Sequence, residues 1–422
     1  MTGPNKQQSQ ELTERFFRNE YGKMVSVITR YIGPENVQTA EDIVQQTLLK
    51  AVDYWQHNGI PDNPQAWLYT TAKNLSLNIL KRRKHQVNFE NQIRSSNQKW
   101  NEFEQIQIKA EQIPDEQLKM IFVCCHPSLS EKSQIALTLK ILCGFSISEI
   151  ANAFFTSNET INKRLVRGRK QLRAKKVSFE LPKNINERLP IVLKTILLLF
   201  NEGYSPSQRS ELIRYDLCLE AIRLCEILLK TDAINNKSDC YSLSALMYLN
   251  ASRFDARMNL TNSVIEMEQQ DRKNWSQELI NNGIENLNLA VQQKQVSTYL
   301  ILATISANHC IAPSFNQTNW EEILALYDNL VALEDTPIVR LNRSVALSKV
   351  KGNRKAIQEL ESLKNRKSLK ANHFFHSTLA EFYKLENEIE QARKSYEKAI
   401  SLTKNERDVK LLRKKLIELV PI

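Results

Sequence analysis

Between Leu137 and Lys176 the chain carries two helix-start signals in quick succession. Ser146-Ile147-Ser148-Glu149 has the spacing of a capping box, in which a hydroxyl and a carboxylate satisfy orphan backbone amides reciprocally. The short helix it opens carries Ile150, Ala151 and Phe154 on one face. Thr156-Ser157-Asn158-Glu159 opens a second helix, in which Ile161, Leu165 and Leu172 recur at helical spacing. The other side holds Lys163, Arg164, Arg167, Arg169, Lys170, Arg173, Lys175 and Lys176, with no acidic residue from Thr160 to Lys176. A helix of that design packs on one face and meets phosphates and base edges on the other. A solvated basic helix on an ordinary bundle has the same pattern. Gly168 stands inside it, where Ala would be about 1 kcal/mol more favourable, which leaves the run to Lys176 open.

The charge distribution favours a polyanionic partner. Lys and Arg exceed Asp and Glu by 11 over the 422 residues. Eight of that excess fall before Val177, as expected if the first part of the chain meets a polyanion. The length predicts about two to four domains. Gly (9) and Pro (12) are scarce and alternating β-branched runs are hard to find, so the expected fold class is all-α.

The coarse organisation follows from periodicity. Phe16, Phe17, Tyr21, Met24, Val25, Ile28 and Tyr31 recur at helical spacing before Gly33-Pro34 breaks the pattern. A second helix over 40–54 sets Ile43, Val44, Leu48 and Val52 against Glu41, Asp42, Gln45, Gln46 and Lys50. Gly59 and Pro61 mark a loop, and Pro64 begins a third helix that ends in Lys81-Arg82-Arg83-Lys84. The expected divisions are a helical domain at 10–84, a polar linker at 85–113 and a helix-turn-helix domain at 114–177. A helical extension at 181–331 and repeats at 332–422 follow. Near the end, Leu379, Ala380, Tyr383, Ala392, Tyr396 and Ala399 fall where tetratricopeptide units place their packing residues, although a generic helical bundle remains an alternative. Asn201 to Tyr204 interrupts an apolar helix and is expected as a turn.

Two small helical domains joined by a polar linker resemble bacterial RNA polymerase sigma factors of the extracytoplasmic-function (ECF) type, which keep only regions 2 and 4. The resemblance rests on AEDIVQQTLLKAV (40–52), NPQAWLYTTAKNLSLNILKRR (63–83), IFVCCHPSLS (121–130), LTLKILCGFSISEIANAF (137–154) and RLVRGRKQLR (164–173). FNEGYSPS, LCLEAIRL and DRKNW are similar to marks of a subgroup with a long, tetratricopeptide-like C-terminal extension. The resemblance implies core RNA polymerase (clamp and flap) and promoter DNA as partners. It places polymerase binding on Asp42, Gln45, Gln46 and Leu49. It places −10 recognition on His57, Trp67, Tyr69, Lys73, Asn74, Asn78, Lys81, Arg82 and Arg83, with Trp67 also a candidate core residue. For the −35 element, Asn162, Lys163, Val166 and Arg167 would face the major groove, with Thr160, Arg164, Arg169 and Lys170 on phosphates. The extension would bind a protein partner or dock back on the sigma domains.

Other function classes are weakly supported. No nucleophile–base pair or phosphate-cradling Gly-rich loop is apparent, so no enzyme activity and no cofactor are expected. The seven cysteines lack CxxC spacing and read as reduced thiols, with Cys218 and Cys225 as buried small residues. Adjacent Cys124 and Cys125 rarely share one tetrahedral metal site, so no metal is expected. The polar N-terminus and the short apolar run at 191–200, interrupted by Lys194, predict a cytoplasmic chain with no membrane span. The rival readings are a helix-turn-helix regulator with a repeat sensor and a tetratricopeptide scaffold with a basic face.

Overall fold

A computed structural model describes residues 6–87, 113–154, 156–204, 215–257, 265–363, 367–370, 372–403 and 406–419. All regular structure among them is helical. The chain divides into two compact units, residues 1–198 with 230–235, and residues 199–229 with 236–422.

The first unit begins with α1 (Lys6–Ile32), α2 (Val37–Asn58) and α3 (Pro64–Val87). Gly33, at φ 85°, turns the chain between α1 and α2. Asn63 caps α3, its Oδ1 accepting from the Ala66 amide at 2.9 Å, with Pro64 in the first helical position. Met24, Val25 and Ile28 of α1 bury themselves with Ile43 and Val44 of α2 and Leu68 and Ala72 of α3. This three-helix core accounts for the apolar periodicity of the segment.

Helices α4 (Ile113–Cys124), α5 (Glu131–Leu137), α6 (Ile147–Ala153) and α7 (Asn158–Ala174) form the second half of this unit. A π-helical stretch, Thr138–Leu142, continues α5. The capping box is present: the Ser146 amide donates to Glu149 Oε2 at 2.7 Å, and the Glu149 amide donates to Ser146 Oγ at 3.1 Å. Ser157 caps α7 by accepting from the Thr160 amide at 3.1 Å. α7 runs unbroken through Gly168 and stops at Ala174, with Lys176 left-handed at φ 46°.

Helix α8 (Ile185–Tyr204) includes Asn201 to Tyr204 in its last turn, where the sequence pattern predicts a break. The side chains explain the difference. Arg257 donates to the Tyr204 carbonyl at 2.7 Å, capping the helix C-terminus, and Arg253 donates to the Tyr204 hydroxyl at 2.6 Å.

The second unit continues with α9 (Tyr215–Lys230), α10 (Ser238–Ala251), α11 (Gln277–Gln292), α12 (Thr298–Ile311), α13 (Trp320–Leu333), α14 (Pro337–Lys351) and α15 (Asn353–Leu363). A single turn, α16 (Lys367–Lys370), precedes α17 (His373–Leu385), α18 (Ile389–Leu402) and α19 (Glu406–Ile417). Leu379, Ala380 and Tyr383 of α17 share one buried cluster with Ala392, Tyr396 and Ala399 of α18. The small residues bring these helices together and the aromatics fill the space beside them.

Cys218 and Cys225 are buried, as their spacing predicts. Burial pushes the Cys125 thiol up to about 11 and the Cys124 thiol well above its ordinary value, which leaves both protonated and inert near neutrality. No group of His, Cys, Asp and Glu among the described residues is arranged to hold a metal ion. No helix among them is long and apolar enough to cross a membrane.

Candidate nucleic-acid interface

Helix α7 is anchored by Ile161, Leu165, Gly168 and Leu172, all buried. Opposite them, Asn162, Lys163, Val166, Arg167 and Lys170 are exposed along one strip. Val166 stands 55% exposed among cations, a poor position for a core residue and a good one for a base methyl. Lys163 pairs with Glu159 one turn earlier at 2.6 Å, both largely exposed. Such a pair is worth little in water and exchanges readily for a phosphate or base. Arg164 and Thr160 are half-buried, the Thr160 hydroxyl lying 2.9 Å from Ser157 Oγ.

Arg169 departs from the strip. Its side chain is only 14% exposed, and its Nη2 lies 2.6 Å from Glu41 Oε2 on α2. Glu41 is buried, although the sequence pattern sets it on the polar face beside Asp42. Burial pushes its carboxyl up from its ordinary value, and Arg169 and Lys140 oppose that shift.

The rest of the polar face of α2 is open. Asp42, Gln45, Gln46 and Leu49 are exposed at spacings of three and four, so they share one side of the helix. Leu49 is 70% exposed.

The residues assigned to the −10 element are spread over α2, its loop and α3. Trp67 is half-buried and stacks on Tyr54, ring centroids 5.4 Å apart, with its edge against Trp55 at 5.8 Å. Tyr54 is exposed on the solvent side of that stack and is not among the residues singled out from sequence. Its signal was its place, one turn before the Gly59 loop and beside a buried Trp55. Tyr69 is buried, its hydroxyl 3.5 Å from Glu20 Oε2. Burial and the Glu20 carboxylate push its phenol up. In this structure it supports the three-helix core rather than a stacking surface. His57, Asn74 and Asn78 are exposed and Lys73 is half-buried. The His57 ring nitrogen Nδ1 lies 2.8 Å from the Asp53 carbonyl. Lys81, Arg82 and Arg83 belong to α3, but their side chains lie outside the described residues.

A cationic recognition-type helix behind a capped helix, beside a helical module that exposes Tyr54 on a stacked Trp67, has the arrangement of a DNA-binding protein. Comparison with known proteins narrows the class. Residues 16–86 match the model of Sigma-70 region 2, and residues 119–172 match Sigma-70 region 4. Residues 188–291 match a family of unknown function, DUF6596. A protein of Rhizobium meliloti (strain 1021), described as uncharacterized, is 32% identical over 395 residues, covering 93% of this chain and 92% of its own. No solved structure matches the chain. The chain belongs to the sigma-70 family and carries a C-terminal extension. Its role is promoter recognition in transcription initiation.

Proposed function

We propose that the protein is an alternative sigma factor of the ECF type, acting in the cytoplasm and holding no catalytic centre of its own. It binds core RNA polymerase through Asp42, Gln45, Gln46 and Leu49 of α2. Region 2, taken as residues 10–84, opens and reads the −10 element with Tyr54, Trp67, Asn74 and Asn78. Region 4, taken as 114–177, reads the −35 element with Asn162, Lys163, Val166 and Arg167. The segment 85–113 links them. The helical extension at 181–331 and the tetratricopeptide-like repeats at 332–422 form a regulatory surface for protein contact.

The observation that carries this reading is the shared exposure of two unlike strips. The strip on α7 is cationic with one apolar side chain, suited to phosphates and a thymine methyl. The strip on α2 is acidic and amide-rich with an exposed Leu49, suited to a protein surface, because Asp42 repels phosphates. The test is run-off transcription with purified core polymerase on a pool of promoter fragments. Selective initiation from a subset with shared −10 and −35 sequences is the expected result. No association with core polymerase, or initiation blind to sequence, would refute it.

A further inference from the structure

Two sequence marks that promoter recognition leaves without a role meet in the second unit. Tyr204 of FNEGYSPS closes α8, and DRKNW supplies Arg272 and Trp275. Arg253, which follows α10, lies near both aromatics, its guanidinium 6.0 Å from the Tyr204 ring and 5.7 Å from the Trp275 ring. Arg257 lies over the same tyrosine at 3.9 Å, and Arg272 over the same tryptophan at 4.6 Å. Each ring is thus shared by two guanidiniums, and the carbons of Arg253 and Arg272 stand no more than about 10 Å apart.

These three cations are gathered without a counter-charge. Among the described residues no carboxylate forms an ion pair with Arg253, Arg257 or Arg272. In the same unit Arg223, Arg340, Arg343 and Arg354 each meet one, at 2.8, 2.5, 2.6 and 2.9 Å. Asp271 is spent on the Lys273 amide at 3.0 Å, and Asp255 is exposed. Arg253 is only 8% exposed, and a cation buried that deeply ordinarily has a partner. Burial pushes the Arg257 and Arg272 guanidiniums below their ordinary value, and the charge on Arg253 adds to the effect.

The cluster is also short of acceptors. Arg257 Nη1 donates to the Tyr204 carbonyl at 2.7 Å. Arg253 Nη2 donates to the Tyr204 hydroxyl at 2.6 Å and to Asn250 Oδ1 at 2.8 Å. Arg272 Nη1 donates to the His309 and Ala312 carbonyls. These bonds hold the forks in place but leave donors over. Arg272 Nη2 and Trp275 Nε1 are buried with no hydrogen-bond partner, and Trp275 is 6% exposed. A buried donor left unmade is costly, so the pair marks where an acceptor belongs. Arg257 and Arg272 are half-buried, which leaves the cluster open to solvent on their side.

The chemistry of the missing group follows from the count. A carboxylate brings one charge and two oxygens. A phosphoryl group brings close to two charges near neutrality and three acceptor oxygens, and guanidinium forks match its geometry. Three cations and two orphaned N–H groups fit the second.

We propose that Arg253, Arg257, Arg272 and Trp275 form a binding site for a small phosphate-bearing ligand in the C-terminal extension. The ligand is inorganic phosphate or a phosphate monoester, and the phosphoryl dianion is the part recognised. On binding, Arg272 Nη2 and Trp275 Nε1 gain the acceptor that the protein does not supply. The site lies in the part of the chain beyond regions 2 and 4, and its occupancy needs neither polymerase nor DNA.

The test uses the full chain with isotope-labelled tryptophan, titrated with inorganic phosphate and, separately, with glycerol phosphate. Sodium chloride keeps the ionic strength constant. The Trp275 indole N–H resonance, assigned by its loss in Trp275→Phe, is expected to move downfield saturably as it gains an acceptor. Arg272→Lys keeps the charge but loses the planar fork, and should weaken binding at least ~10-fold with helical content by circular dichroism unchanged. Trp275→Phe keeps an aromatic ring and deletes the N–H. Followed by calorimetry, it should also bind at least ~10-fold more weakly, and it decides the matter if Arg272→Lys disturbs the fold. Tighter binding of the inorganic ion would name it as the ligand, and tighter binding of the ester would name a phosphorylated metabolite. No saturable shift with either compound would overturn the site. So would an equal shift with chloride, or unchanged affinity in both variants.

Discussion

Gly168 lies in the middle of α7 so close to Leu137 of α5 that a Cβ built on it would stand 2.8 Å from Leu137 Cδ1. Leu137 is fully buried, so its methyl has little room to withdraw. Gly168→Ala therefore sets two effects against each other. Helix propensity favours Ala by about 1 kcal/mol. Overpacking a closed core costs about 1–3 kcal/mol. Net destabilisation is the expected outcome, read as a lower urea midpoint for the first unit, and Gly168→Val should be worse. A gain in stability would show that α5 relaxes away from α7.

That glycine marks the boundary of what the amino-acid order reveals. The starts of α6 and α7 were legible because Ser146, Glu149 and Ser157 act on amides within their own turn. The buried faces of α2, α7, α17 and α18 were legible because periodicity is a one-helix property. Gly168, Gly22 and Glu41 were not, because each answers to a partner far along the chain, at Leu137, Leu142 and Arg169. Tyr69 looked like a surface aromatic for the same reason. Its hydroxyl lies against Glu20, 49 residues away in the chain. The extension of α8 through Tyr204 likewise depends on Arg253 and Arg257.

Arg167 and Asp42 should separate the two halves of promoter recognition. Arg167→Ala removes a cation from the exposed strip of α7 and should cost about 1–3 kcal/mol at one −35 base pair while leaving polymerase binding intact. Asp42→Ala should weaken association with core polymerase without altering promoter preference. Competition transcription on −35 variants reads the first, and co-migration with polymerase on size exclusion reads the second. Equal, sequence-blind losses from both substitutions would contradict this division.

Tyr54 and Tyr69 make a contrast on the −10 side. Tyr54 is exposed and already stacked on Trp67, so it presents a preformed platform for an unpaired base. Tyr54→Ala should slow promoter opening by the loss of one stacked base, about 1–3 kcal/mol, seen as weaker permanganate reactivity of −10 thymines. Tyr69→Phe removes only a long hydrogen bond to Glu20 and should leave opening near wild type. An opening defect confined to Tyr69→Phe would mean that the core between α1 and α3 rearranges on promoter DNA.

His309 gives the second unit a definite response to acid. Its ring packs edge-on against Trp320 at 5.3 Å, and its Nδ1 is buried without a hydrogen-bond partner. Burial, with Arg253 and Arg272 nearby, lowers its pKa from the ordinary 6.5 to about 4. The folded unit therefore binds this proton less readily than the unfolded chain does. The stabilisation is complete above about 6.5 and is lost as pH falls from there toward about 4, below which both states carry the proton. Hydrogen exchange of peptides from α12 and α13 should accordingly quicken, at matched intrinsic rates, as pH is lowered through that window. His309→Gln keeps a polar side chain of similar reach but cannot gain charge, so it should flatten the response between those limits. An unchanged slope in the variant would assign the acid sensitivity to another group of this unit.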